Sequence, residues 1–346
     1  MNLGKKSGCI LILTLGVVAG CLSPHGAAQY RYGVKQRWVI GGDGSWDYMT
    51  VDTRTNRLYV AHQTTVQVID LASGKLAGTI SGLTRSHGIV IVPSGGVGFI
   101  SDGGANNIVV FDPASLAKLG IISAGANPDG MVYEPVTQTL WAFNGASKSA
   151  TVVDVAKRSV IATVPLPGKP EFPTADGEGA VFVNLENLDS ILRIDAKTRK
   201  VEAMWKLAGC ESPSGLAFDR AGKRLFSVCD GRHMAVTDAR TGVSLATPPI
   251  GDGPDATAYD EKRQLAFSSN EDGTLTVIDA AKPGYPVIQS LATMKGARTM
   301  ALDAATGTIY TVSAKLAPPP PTNPPPKHPR PIAAPGTFTV LVIGRE

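Results

Sequence analysis

Seven side chains, one in each of seven similar stretches, carry most of the chemistry this sequence can offer: Asp47, His87, Asp129, Glu171, Ser214, Asp255 and Arg298. A second set, His62, Asp102, Asn144, Asn184, Asp230 and Asn270, follows the first six. Four acids and a histidine around one point would attract a divalent cation or a cationic ligand, with Arg298 as the only counter-charge. Imidazole nitrogen and carboxylate oxygen are the usual donors for such an ion, so His62 and His87, in adjacent units, form the expected metal set with Asp102 and Asp129. The wider ligand-binding set is Asp47, His87, Asp129, Glu171, Asp255, Arg298, Asn144 and Asn270. A competing explanation is structural: Asp, Asn and Gly stop strands and bond their own backbone in turns. Any single member of either set is accounted for in that way, and His233 falls in a turn at the same end.

No catalytic residue can be assigned. The sequence lacks G-x-S-x-G, H-E-x-x-H, a P-loop and a dinucleotide fingerprint, and Gly41-Gly42-Asp43-Gly44 is a loop without the helix that would make it a phosphate cradle. Cys210 and Cys229 have no C-x-x-C spacing, which leaves thioredoxin-like chemistry and covalent haem unsupported. A disulfide, metal ligation and free thiols remain open for them, and the disulfide is the preferred expectation for a chain in an oxidising compartment.

The elements that must position these residues are short strands. From Asp260 to Asp279, apolar residues alternate at Leu265 and Phe267 and again at Leu275 and Val277, around the turn Asn270-Glu271-Asp272-Gly273. The aromatic position recurs at Tyr59, Phe99, Trp141, Phe182, Phe226, Phe267 and Tyr310, at intervals of 40 to 44 residues. The closing aspartate recurs at Asp70, Asp112, Asp154, Asp195, Asp238 and Asp279, with Gly344 in the seventh place. Such a period with several strands per unit predicts an all-β, seven-bladed β-propeller with four-stranded blades. An inner strand leaves one face and the aromatic strand returns to it, so both sets of polar residues collect there, the first set around the central channel.

The fourth unit is the least regular, since Pro170-Glu171-Phe172-Pro173 stands where an inner strand is expected. The seventh ends on the strand 337–343, after a proline-rich loop over 317–335. Its missing outer strand is expected from Val34 to Gly41, so that an N-terminal strand closes the last blade and leaves no open edge. The loop has no apolar periodicity and reads as extended and solvated, with recognition by a partner's aromatic groove as a second possibility.

Lys5 and Lys6 precede an apolar run from Cys9 to Ala19 that is too short to span a bilayer, which predicts an export signal over residues 1–20. Val18-Ala19-Gly20-Cys21 resembles a bacterial lipobox, which implies lipidation of Cys21. The alternative is cleavage after residue 28. By the lipobox resemblance, Leu22 after Cys21 implies outer-membrane sorting. The formal charge of +4 includes Lys5 and Lys6, so no strong basic field points to nucleic acid as a partner.

The repeat core, as in Leu58-Tyr59-Val60-Ala61-His62, Trp141-Ala142-Phe143-Asn144 and Thr274-Leu275-Thr276-Val277-Ile278-Asp279, resembles the YVTN-repeat, YncE-like family of exported seven-bladed propellers, over about residues 33 to 346. That resemblance implies the fold and export to the periplasm or an outer-membrane anchor. It does not fix the activity, because propellers of this kind include binding proteins, lactonases and lyases. The first expectation is a binding or scaffold protein presenting the channel face to a small ligand, metal ion or protein partner. The second is a metal-assisted hydrolase or lyase of the propeller lactonase type, using a divalent ion in the same channel. Single-stranded DNA binding, suggested for some relatives, fits poorly with the low charge and few exposed aromatics.

Overall fold

The computed structural model describes residues 1–2, 4, 31–93, 96–318 and 332–346. The apolar leader, the lipobox with Cys21, the position after residue 28 and most of the proline-rich loop lie outside the described residues.

Within Arg31–Glu346 the strands assemble into seven four-stranded antiparallel sheets. The first blade is Trp46–Asp52, Arg57–His62, Thr65–Asp70 and Lys75–Ile80, paired in chain order. Its innermost strand packs against Ser86–Ile91 of the second blade. The contact passes on through Pro128–Glu134, Pro170–Ala175, Glu211–Asp219, Pro254–Asp260 and Met300–Asp303, which returns to the first blade. That closed circuit is a seven-bladed β-propeller.

Burial explains the repeat. Tyr59, Phe99, Trp141, Phe182, Phe226 and Phe267 are fully buried and Tyr310 nearly so, each worth on the order of 2–3 kcal/mol of transfer free energy. Their strands face the next blade: Trp141, Val152 and Phe143 of the third pack with Val181, Val183 and Leu192 of the fourth. The closing aspartates hold turns, as Asp70 accepts from the Ser73 amide, Asp195 from Thr198 and Asp238 from Thr241.

A second set of acids ends the inner strands at the same end of each blade as the closing aspartates, away from the channel mouth. Asp52, Glu134, Asp219, Asp260 and Asp303 are buried and accept from amides or side chains of the turn that follows each. Nothing in the alternation distinguishes these buried caps from solvated turn acids.

The last blade is closed as expected. Tyr32–Val39 pairs with Thr339–Arg345, which pairs with Thr308–Ser313. The closing strand starts two residues earlier than the expected Val34, because Tyr32 is anchored on the sixth blade. Its amide and carbonyl bond Gln289, and its ring meets Phe267 edge-on at 5.3 Å. The Glu346 amide donates to the Arg31 carbonyl at 2.8 Å. The proline-rich loop emerges from a short ribbon, Leu316–Ala317 with Ile332–Ala333. In the fourth blade Pro170–Ala175 is a true strand. Proline is tolerated there because an innermost strand is an edge, with no ladder partner on its channel side.

Candidate functional site

The channel mouth is built by a backbone device repeated from blade to blade. In six blades the inner strand loses register with its neighbour between Trp46 and Met49, Ser86 and Ile89, Pro128 and Met131, Pro170 and Pro173, Pro213 and Leu216, and Pro254 and Ala256. Asp47, His87, Asp129, Glu171, Ser214 and Asp255 fall inside these bulges. A bulge turns a side chain away from the regular alternation, and here it aims six polar residues at the channel.

Neighbouring blades fix the backbone of this rim. The Ser101, Ser214 and Ser269 hydroxyls donate to the carbonyls of Asp129, Asp255 and Arg298 on the following blade, the first at 2.6 Å and the second at 3.0 Å. Gly88, Gly130 and Gly215 let the inner strands approach, since a Cβ at each would lie 2.7 Å from the carbonyl oxygen of Asp129, Glu171 and Asp255 respectively. In blades one and four that position carries Tyr48 and Phe172 instead. These blades are not neighbours in the ring, and the two side chains meet edge-on at 5.0 Å. They form an aromatic floor across the channel, one residue deeper than the acids.

Three of the rim residues converge. One donor atom from each of Asp47, His87 and Asp129 lies within 4.8 Å of the others. His87 Nδ1 is hydrogen-bonded to Asp47 Oδ2 and stands 3.6 Å from Asp129 Oδ1. Burial of the His87 ring favours its neutral form, but the hydrogen bond to Asp47 and the charges of Asp129 and Asp47 outweigh it, and the imidazole holds its proton more tightly than usual. Burial raises the Asp129 carboxyl, and the Asp47 charge raises it further.

The other half of the rim is more nearly neutralised. Arg298 Nε lies 3.6 Å from Asp255 Oδ2, yet burial still pushes Asp255 up to about 6. Lys169, absent from the expected site, is a second cation beside Arg298: its ammonium is hydrogen-bonded to Glu186 and stands 3.7 Å from Glu171 Oε2. Lys169 thus serves Glu186 first. Burial, then the Asp129 charge, holds Glu171 well above the carboxylate range. Burial likewise keeps the Tyr48 phenol protonated, with Asp129, Glu171, Asp47 and Asp255 adding to it.

Five of the six residues of the second set hold the fold, and Asp230 is exposed. His62 stacks on Phe338 at 4.2 Å and bonds Gln67 through Nδ1 at 3.0 Å, and burial lowers its proton affinity. Both Asp102 oxygens accept amides, from Thr84 at 2.9 Å and Arg85 at 2.8 Å. Of the four expected metal donors, His87 and Asp129 come together while His62 and Asp102 do not, because the His62 ring is stacked into a blade junction on Phe338 and both Asp102 oxygens accept backbone amides. Asn144 bonds Ser149 and Thr151, Asn270 bonds Thr274 and Thr276, and Asn184 bonds the Ser214 carbonyl. Asp47, placed in the ligand set but not the metal set, is the donor that the sequence reading missed. Adjacent positions in consecutive inner strands were the signal that could have found it. Cys210 and Cys229 are joined in a disulfide, with Cα atoms 5.3 Å apart.

Neither family models nor characterised proteins match this sequence. Among solved structures, a chain of hydrazine synthase from Kuenenia stuttgartiensis superposes with a TM-score of 0.68 at 15% identity, covering 79% of this chain and 94% of that one. The structure of U3-55K superposes with a TM-score of 0.75 at 10% identity, covering 90% and 98%. At those identities the likeness is one of fold, and it places the chain among β-propellers.

Proposed function

We propose that this protein is an exported binding protein of the bacterial cell envelope that receives a positively charged ligand at the mouth of its propeller channel. The observation that carries the reading is the convergence of Asp47, Asp129, Glu171 and Asp255 over the Tyr48–Phe172 floor. Carboxyl groups gathered in a half-dry well repel one another's ionisation, and a cation seated among them would relieve that repulsion. A propeller mouth is also a rigid concave site, of the kind that small ligands favour. The leader and lipobox pattern support a periplasmic or outer-membrane-anchored location through Cys21, and the repeat pattern supports kinship with the YncE-like propellers.

The test is a melting-temperature screen against a polyamine, a quaternary ammonium ion, divalent metal ions and matched anions, on the wild type and on an Asp129→Asn/Asp255→Asn double variant. At least one cation class raises the wild-type midpoint, and the double variant loses the rise. A screen in which anions stabilise and no cation does would overturn the reading.

One feature favours a second reading, a metal-assisted hydrolase or lyase: burial and the Asp129 charge raise the proton affinity of Glu171, and a carboxyl pair of that kind can divide proton donation and acceptance between them. Metal-loaded protein would then hydrolyse model lactones, and Glu171→Gln would abolish the turnover while leaving the metal bound.

A further inference from the structure

We propose that Asp47, His87 and Asp129 form a centre for one divalent transition-metal ion, bound through His87 Nδ1 and a carboxylate oxygen of each aspartate. The inference rests on the reading of the mouth as a cation receptor and names the cation.

Donor type selects the metal. One imidazole nitrogen with two carboxylate oxygens suits zinc, manganese, iron, cobalt or nickel, whereas calcium and magnesium take oxygen almost exclusively. The three donor atoms lie within 4.8 Å of one another. Around an ion with bonds of about 2.1 Å, neighbouring donors stand roughly 3 to 3.5 Å apart. The 3.6 Å from His87 Nδ1 to Asp129 Oδ1 is close to that, and side-chain rotation of the aspartates supplies the rest.

The histidine is held for this task in a way a solvated ion pair does not need. His87 is 2% exposed, and its Nε2 is buried without a hydrogen-bond partner. Its Cδ2–Nε2 edge is packed against Gly103, where a Cβ would come within 2.7 Å of both atoms. The glycine leaves room for that edge of the ring, and Nδ1 faces the two aspartates. A buried nitrogen left unbonded carries a cost, which a gain at the other nitrogen can offset.

The backbone on both sides is equally fixed. The three donors come from bulges in three consecutive blades. Ser101 holds the Asp129 carbonyl at 2.6 Å, and Gly88 brings the strand of His87 against it. Three protein donors on one side of the mouth leave the remaining coordination positions toward the channel, where Lys169 and Arg298 stand on the other blades. Such a centre holds an exchangeable water or a ligand group, as three-donor sites do.

The test is titration of metal-stripped protein with zinc chloride by calorimetry, with cobalt(II) absorption as a readout of the donor set. The wild type is expected to take one equivalent. His87→Ala and Asp129→Asn are each expected to weaken zinc at least about 100-fold, with a changed cobalt spectrum, while His62→Ala leaves both readouts as in the wild type. Should His87→Ala fail to fold, judged by its melting curve, Asp47→Asn replaces it and must give the same weakening. The inference is overturned if the wild type takes up no zinc, or if Asp129→Asn and either variant of the other two donors bind it as the wild type does. Stabilisation by a polyamine without zinc uptake would sink the metal centre and leave the cation receptor standing, whereas failure of every cation would remove both.

Discussion

The ring of Tyr48 meets the ring of Phe172 at 5.0 Å and an interplanar angle of 67°, and the two residues belong to blades that do not touch around the circle. Each ring directly follows a rim acid in the chain, Asp47 and Glu171, which sets apolar surface next to the carboxyl groups. Tyr48→Ala is expected to cost on the order of 3 kcal/mol and to bring the Asp129 and Asp255 titrations back toward the ordinary carboxylate range. Chemical denaturation and carboxyl carbon NMR measure the two effects. Unmoved titrations would mean that another element keeps the well dry.

Asp255 gives a pH dependence with a defined sign. Its folded-state value of about 6 lies above the unfolded value of about 3.9. The fold therefore keeps a proton that the unfolded chain has already released, and this stabilising contribution is lost as pH rises from about 4 to about 6. Asp255→Asn cannot ionise, so it gains on the wild type across that window, by at most about 3 kcal/mol at pH 7, less whatever Arg298 loses as a partner. Urea unfolding at pH 4 and pH 7 gives the comparison, and an equal difference at both would contradict it.

Two glycines separate close packing from chance. A Cβ at Gly130 would strike the Glu171 carbonyl at 2.7 Å and Pro173 at 2.6 Å, whereas one at Gly120 meets nothing within 4 Å. Gly130→Ala should destabilise by about 1–3 kcal/mol and disturb ligand uptake at the mouth. Gly120→Ala should be neutral or gain up to about 1 kcal/mol. Similar melting temperatures for the two variants would show that the inner strands have room to move apart.

Removal of residues 31–39 takes away the outer strand of the last blade and its anchor on Gln289. One broad transition at a much lower temperature is expected by calorimetry, because the opened blade exposes the edge of Thr339–Arg345. An unchanged midpoint would refute closure as a source of stability.

The Cys210–Cys229 bond closes a loop of 19 residues, for which chain entropy alone suggests about 3 kcal/mol. Reduction, or the Cys210→Ser/Cys229→Ser double variant, should lower stability by up to that amount. No change on reduction would mean that the fold holds this loop without the bond.

Much of the architecture could be read in advance because it is written in burial. Tyr59, Trp141 and Phe267 mark strands whose neighbours must be apolar, and the spacing between them counts the blades. The closing strand was legible from the missing fourth strand of the last blade, though Tyr32 anchors it earlier than its pattern suggests. The rim residues were legible as a set, since strand direction alone brings them to one face. Their arrangement was not. Bulges decide which way Asp47 and Asp129 point, and a bulge leaves no mark in the alternation. His62 looked equivalent to His87 by spacing, but stacking on Phe338 withdraws it into a blade junction. The Tyr48–Phe172 contact spans residues far apart in sequence, and no local period can reveal a meeting across a channel.

The hydrogen bond from the Glu346 amide to the Arg31 carbonyl has a consequence for the order of assembly. Six sheets are made from contiguous stretches of chain and can form as each stretch becomes available, while the seventh must wait for segments about 300 residues apart to find each other. With those ends side by side, a short linker from Glu346 to Arg31 and a new break at a surface turn between two other blades would preserve every strand pairing. The permuted chain would build the same ring, but a different blade would be the last to form.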